Sequence, residues 1–286
     1  AAMVKELRER TGAGMMDCKK VLTQTDGDMD AAIEELRIKG AAAAEKKAGR
    51  IAAEGVIISA ANADVAVLVE INCETDFVAK DGSFQAFGAA VADTVLSGDP
   101  ADLETLADSE TASGATVEKA RQELIAKIGE NISIRRFVRF EAGNGANSSY
   151  LHGSRIGVLV TLEGGDDALG RDIAMHVAAS RPLCVSEQEM DPDVVAREKE
   201  IFAAQARESG KPEDIIEKMI GGRIKKFLKE NTLLGQPFVK NPDQSVAELL
   251  ESNNARVVRM VRYEVGEGIE KKQDDFVAEV MAQAGA

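Results

Sequence analysis

Val65-Ala66-Val67-Leu68-Val69-Glu70-Ile71-Asn72-Cys73-Glu74-Thr75-Asp76-Phe77-Val78-Ala79-Lys80 is the stretch from which this 286-residue chain is best read. Val65, Val67, Val69 and Ile71 alternate with Ala66, Leu68, Glu70 and Asn72, the period-two pattern of a strand. Phe84, Phe87, Val91 and Val95 then fall on one face of a helix. Between strand and helix, Asn72 to Lys80 sets the ring of Phe77 beside the carboxylate of Asp76, although nothing local requires a ring there. Thr75 ahead of Val78 also reads as an ordinary helix N-cap. The two roles are compatible, because a capped short helix holds a ring rigidly.

The strand recurs. Val67-Leu68-Val69-Glu70-Ile71 reappears as Val158-Leu159-Val160-Thr161-Leu162, again followed by a helical stripe, Leu169, Ile173 and Val177. Each copy closes on a related strand, Phe137-Val138-Arg139-Phe140-Glu141 and Met260-Val261-Arg262-Tyr263-Glu264. This repetition predicts a duplicated core. The second copy passes from strand to helix through Glu163 to Ala168, whereas the first uses Asn72 through Ser83, so the Thr-Asp-Phe segment reads as an addition. The second copy is longer elsewhere. Ser186 to Asn231 is charged and helix-favouring, and Ser209-Gly210-Lys211-Pro212 breaks it into the two arms of a helical hairpin. Asp191-Pro192 supplies a cap with proline at the first helical position. Val194, Val195, Ile201 and Phe202 on one arm, and Ile216, Met219, Ile220, Ile224 and Phe227 on the other, form apolar stripes that either pack on each other or double as a dimer contact.

Three short helices precede the core. Val4 and Leu7 share a face of the first, which stops at Thr11-Gly12-Ala13-Gly14; Met15, Cys18 and Leu22 share a face of the second. The third runs from about Asp30 through Ile33 and Leu36 to Gly40, the expected terminator. Met16 lies off the inward stripe, as extra packing or as an exposed apolar contact of the adaptable kind methionine makes. Residues 41–50 read as a helical or flexible linker, and Asp275 to Met281 as a short amphipathic helix after Val265-Gly266-Glu267-Gly268. The boundaries expected are 1–50 for the N-terminal module and linker, 51–142 for the first core subdomain, 143–185 with 232–265 for the second, 186–231 for the inserted hairpin and 266–286 for the C-terminal module.

Composition narrows the function. Forty-nine Asp and Glu against 35 Lys and Arg give a formal charge of -14, which opposes a nucleic-acid surface, since phosphate neutralisation needs clustered cations. No apolar run is long enough to cross a bilayer. Three cysteines at unrelated spacings make neither a disulfide framework nor a zinc motif, so a cytoplasmic setting is expected. There is no phosphate-cradling glycine loop and no nucleophile elbow. A catalytic residue, cofactor or metal is therefore not expected. His176 reads as a hydrogen-bonded core histidine, and His152, in the turn Tyr150 to Arg155, as an exposed contact residue. Cys73, at a strand end, reads as packing.

Thr11-Gly12-Ala13-Gly14-Met15-Met16-Asp17-Cys18-Lys19-Lys20, Thr75-Asp76-Phe77-Val78-Ala79-Lys80, and His152-Gly153 followed by Arg155-Ile156-Gly157-Val158 together resemble the bacterial translation elongation factor Ts family, over nearly the whole chain. The resemblance implies an α+β fold: a ubiquitin-associated-like three-helix module, a duplicated core with antiparallel sheets, an inserted helical hairpin and a C-terminal helix. It implies a guanine-nucleotide exchange factor whose partner is the GTPase elongation factor Tu, with homodimerisation through the hairpin in some members. Carried onto this chain, the family's wedge falls on Asp76 and Phe77 within Thr75 to Val78, its contact histidine on His152, and its docking residues on Arg8, Met15 and Met16. The rival reading is a non-catalytic adaptor or assembly protein built on the N-terminal module and hairpin.

Overall fold

A computed structural model describes residues 2–208, 210 and 212–270. The expected helix at Asp275 to Met281 lies outside the described residues. Two compact units form among the described residues: 2–58 with Val69–Phe137 and 264–270, and Ser59–Leu68 with Val138–Tyr263.

In the first unit, helices α1 (Ala2–Thr11), α2 (Met15–Gln24) and α3 (Met29–Lys47) enclose a small core of Leu7, Cys18, Val21, Leu22 and Ala32. Gly12, at φ +68, turns the chain between α1 and α2. Asp28 caps α3 by accepting the Asp30 and Ala31 amides. Two features of these helices differ from the sequence expectation. Gly40 does not end α3: the helix continues through the strong helix formers Ala41 to Lys47, and Gly40 is buried where α3 passes Ala126. Met15 does not join Cys18 and Leu22 in the core but is 60% exposed. It is the first residue of α2, where a side chain tilts toward the helix N-terminus and away from the residues that follow.

The chain then forms β1 (Glu54–Ala61), β2 (Val65–Cys73), α4 (Asp76–Ala79), α5 (Gly82–Gly98), α6 (Leu103–Asp108), α7 (Val117–Ile128) and β3 (Ser133–Glu141), with sheet order β1-β2-β3. Every residue of β2 is buried, Glu70 included. Glu70 is tolerated there because its carboxylate accepts Arg135 at 3.1 Å, Arg136 at 2.6 Å and the Gly266 amide at 2.8 Å. Helix α5 lies close on the strands, since a Cβ at Gly88 would meet Ile58 Cδ1 at 2.1 Å.

The second unit repeats the plan with β4 (Ala146–His152), β5 (Ile156–Glu163), α8 (Asp167–Ser180), α9 (Pro192–Arg207), α10 (Glu213–Asn231), β6 (Pro237–Phe238), β7 (Asn241–Ser245), α11 (Val246–Ser252) and β8 (Arg256–Glu264). Its sheet order is β4-β5-β8, and β4 pairs antiparallel with β5 from Ala146 opposite Leu162 to His152 opposite Ile156. Val158, Val160 and Leu162 meet Leu169, Ile173 and Val177 of α8 in one apolar core. Two sheets of the same order, each with a helix after its central strand, make the duplication physical. Helices α9 and α10 pack on each other, with Ala206 and Ile216 buried and Arg223 stacked 5.6 Å from the Phe202 ring.

Candidate functional site

The segment after β2 is a single helical turn. Thr75 has extended backbone, and its hydroxyl accepts the Val78 amide at 3.4 Å. At the other end the amides of Lys80 and Asp81 close on the carbonyls of Phe77 and Val78. Asp81 then caps α5 by accepting Ser83 and Phe84. Ala79 is buried and Val78 half-buried, so the turn has an anchored side and a free side. Phe77 lies on the free side, 81% exposed, the most open large apolar side chain among the described residues. Exposure of this degree has no folding rationale.

Asp76 is the first residue of the turn, and Lys80 Nζ lies 2.7 Å from its carboxylate. That hydrogen bond holds the Asp76 carboxyl below the usual carboxylate range. Cys73 is buried and donates to the Thr75 carbonyl at 3.1 Å. Burial, with the nearby carboxylates of Glu130 and Glu54, pushes its thiol up to about 12, so it is packing and not a nucleophile.

His152 ends β4 in the second unit, exposed, with Nδ1 3.3 Å from the Tyr150 hydroxyl. Among the N-terminal helices, Arg8 is exposed on α1, while Met15 and Met16, the latter 73% exposed, open α2. Thr75 to Val78 thus share one turn, and Arg8, Met15, Met16 and His152 belong to other elements. His176 is fully buried: Nε2 meets Gln236 Oε1 at 2.9 Å, and Nδ1 accepts the Val239 amide at 3.1 Å. Sequence reading missed Glu130, whose carboxylate touches Glu74 and Thr75. Among the described residues no group of His, Cys, Asp or Glu could hold a metal ion, and no helix is long and apolar enough to cross a membrane.

The family model described as elongation factor TS matches residues 74–267. The chain is 61% identical over 287 residues to the elongation factor Ts of Thioalkalivibrio sulfidiphilus, covering 99% of this chain and 98% of that protein. It is 60% identical to that of Alkalilimnicola ehrlichii, with coverage of 99% and 98%. To that of Legionella pneumophila, strain Philadelphia 1, it is 58% identical over 99% of this chain and 97% of the relative.

Proposed function

Because the chain belongs to the elongation factor Ts family, we propose that it promotes GDP release from the GTPase elongation factor Tu, with Phe77 and Asp76 as the wedge. The observation that carries this reading is the ring: 81% exposed, on a turn capped at both ends. Burying such a ring in a partner contributes about 1.5 to 3 kcal/mol. If that burial requires the GTPase helices near magnesium and phosphate to part, nucleotide and factor destabilise each other by the same coupling free energy. Bound GDP then loses charge-assisted contacts as magnesium and the phosphate loop shift. No bond of the nucleotide breaks, so the factor is not an enzyme and needs no cofactor of its own.

Arg8, Met15, Met16 and His152 supply the grip, apolar and adaptable at the methionines. The partner is a protein in the cytoplasm; a charge of -14 opposes direct nucleic-acid binding. Ile201 and Ile215, exposed on α9 and α10, support self-association through the hairpin. The test is release of fluorescent GDP from elongation factor Tu. Sub-stoichiometric amounts of this chain should accelerate it, whereas a complex that forms without acceleration would make the chain an adaptor.

A further inference from the structure

We propose that Glu130 is a positioning residue for nucleotide release: it completes the N-terminal cap of α4 from a distant part of the chain and so fixes where Phe77 points. The inference rests on the wedge reading above.

A four-residue helix cannot hold itself in water, because nucleation fixes several residues for one hydrogen bond. Its orientation must come from outside. In a local capping box the N-cap hydroxyl accepts the amide three residues on, and a Glu at that third position accepts the N-cap amide. Helix α11 has both halves: Glu248 N donates to Ser245 Oγ at 3.2 Å, and Ser245 N to Glu248 Oε2 at 2.7 Å. In α4 the third position is Val78, so the turn has the hydroxyl half and no local carboxylate.

Glu130 supplies the missing half. Helix α7 ends at Ile128, and Gly129, at φ +90, takes the left-handed cap that reverses the chain. The next side chain reaches back to the end of β2. Its Oε2 accepts the Thr75 amide at 3.0 Å and the Glu74 amide at 3.1 Å, and its Oε1 accepts the Thr75 hydroxyl proton at 2.7 Å. A hydroxyl has one proton. With that proton committed to Glu130, Thr75 Oγ1 presents a lone pair to the Val78 amide, so the carboxylate also sets the direction of the cap. Glu74 returns the contact, accepting the Asn131 amide at 2.6 Å, while Asn131 Nδ2 donates to the Arg50 carbonyl at 2.8 Å. The two loops therefore hold each other, and α4, with its ring, is fixed to the end of α7.

The test measures fluorescent GDP release from elongation factor Tu across factor concentrations, with melting temperatures, for wild type, Glu130→Ala, Glu130→Gln, Phe77→Ala and the double variant Phe77→Ala/Glu130→Ala. A misaimed ring loses effect after docking. Glu130→Ala should therefore lower the saturating release rate about tenfold, with half-saturation within about twofold of wild type. Glu130→Gln, which keeps a carbonyl acceptor, should fall between. In the Phe77→Ala background, loss of Glu130 should slow release no further, since both act through one ring. Should Glu130→Ala fail to fold, Glu130→Gln decides by its saturating rate. Wild-type release by the Glu130 variants while Phe77→Ala is slow overturns the proposal, as do equal losses in both backgrounds, which would mark a general effect on the fold. Wild-type release by Phe77→Ala would instead remove the wedge reading itself.

Discussion

Lys80 holds the Asp76 carboxylate at 2.7 Å across one helical turn, so the acidic residue of the proposed wedge is already engaged before any partner arrives. The contact is exposed and bridges the ends of α4, and it lowers the carboxyl's proton affinity. In Lys80→Met the Asp76 carboxyl resonance, followed by carbon NMR, should titrate at higher pH than in wild type, nearer the ordinary value of about 3.9. The melting temperature should barely move, because exposed pairs are well screened. An unchanged Asp76 titration would mean that Lys80 is not the cause.

Met15 and Met16 are exposed at the start of α2, where the proposed reading puts a docking surface. Replacing both with alanine should weaken binding to elongation factor Tu about tenfold, mainly through faster dissociation, with the melting temperature unchanged. Calorimetry on the complex, with stopped-flow dissociation, checks this. Unchanged affinity with lowered stability would assign both residues to the core.

His176 makes stability depend on pH. Burial pushes its imidazole below the ordinary value, and the Gln236 hydrogen bond only partly opposes this. The unfolded chain therefore takes up the proton first. The contribution of neutral His176 is full above about pH 6.5 and is lost as pH falls from there toward the lowered folded value. Melting temperatures should decline over that window in wild type and decline less in His176→Gln. Parallel curves for the two proteins would remove this role.

On the proposed reading the hairpin should be separable from the release step. Leu233 and Leu234 donate to the carbonyls of Cys184 and Val185, which ties its base together. Replacing Ser186 to Lys229 with a short glycine-rich linker should therefore leave a folded chain that releases GDP within about tenfold of wild type and self-associates less. A variant that folds and binds the GTPase normally yet releases no GDP would place the hairpin in the release step.

Elements with a strong period were legible in the sequence: β2, α5, β5 and α8 follow from their apolar spacing, and the Thr75 cap from its place ahead of Val78. What was not legible depends on distant partners. Nothing in the alternation of β2 shows that Glu70 is buried against Arg135 and Arg136 of β3. Gly40 looks like a stop until α7 covers it. Glu130 carries no local signal, because its partners Glu74 and Thr75 are separated from it by α4, α5, α6 and α7.

The most direct measurement is fluorescent GDP release from elongation factor Tu at saturating Phe77→Ala. The ring contributes nothing to the core, so the variant should fold as wild type, yet its stimulated rate should fall at least about tenfold, in line with the apolar burial it forfeits. A wild-type rate from the folded variant would show that Phe77 is not the wedge.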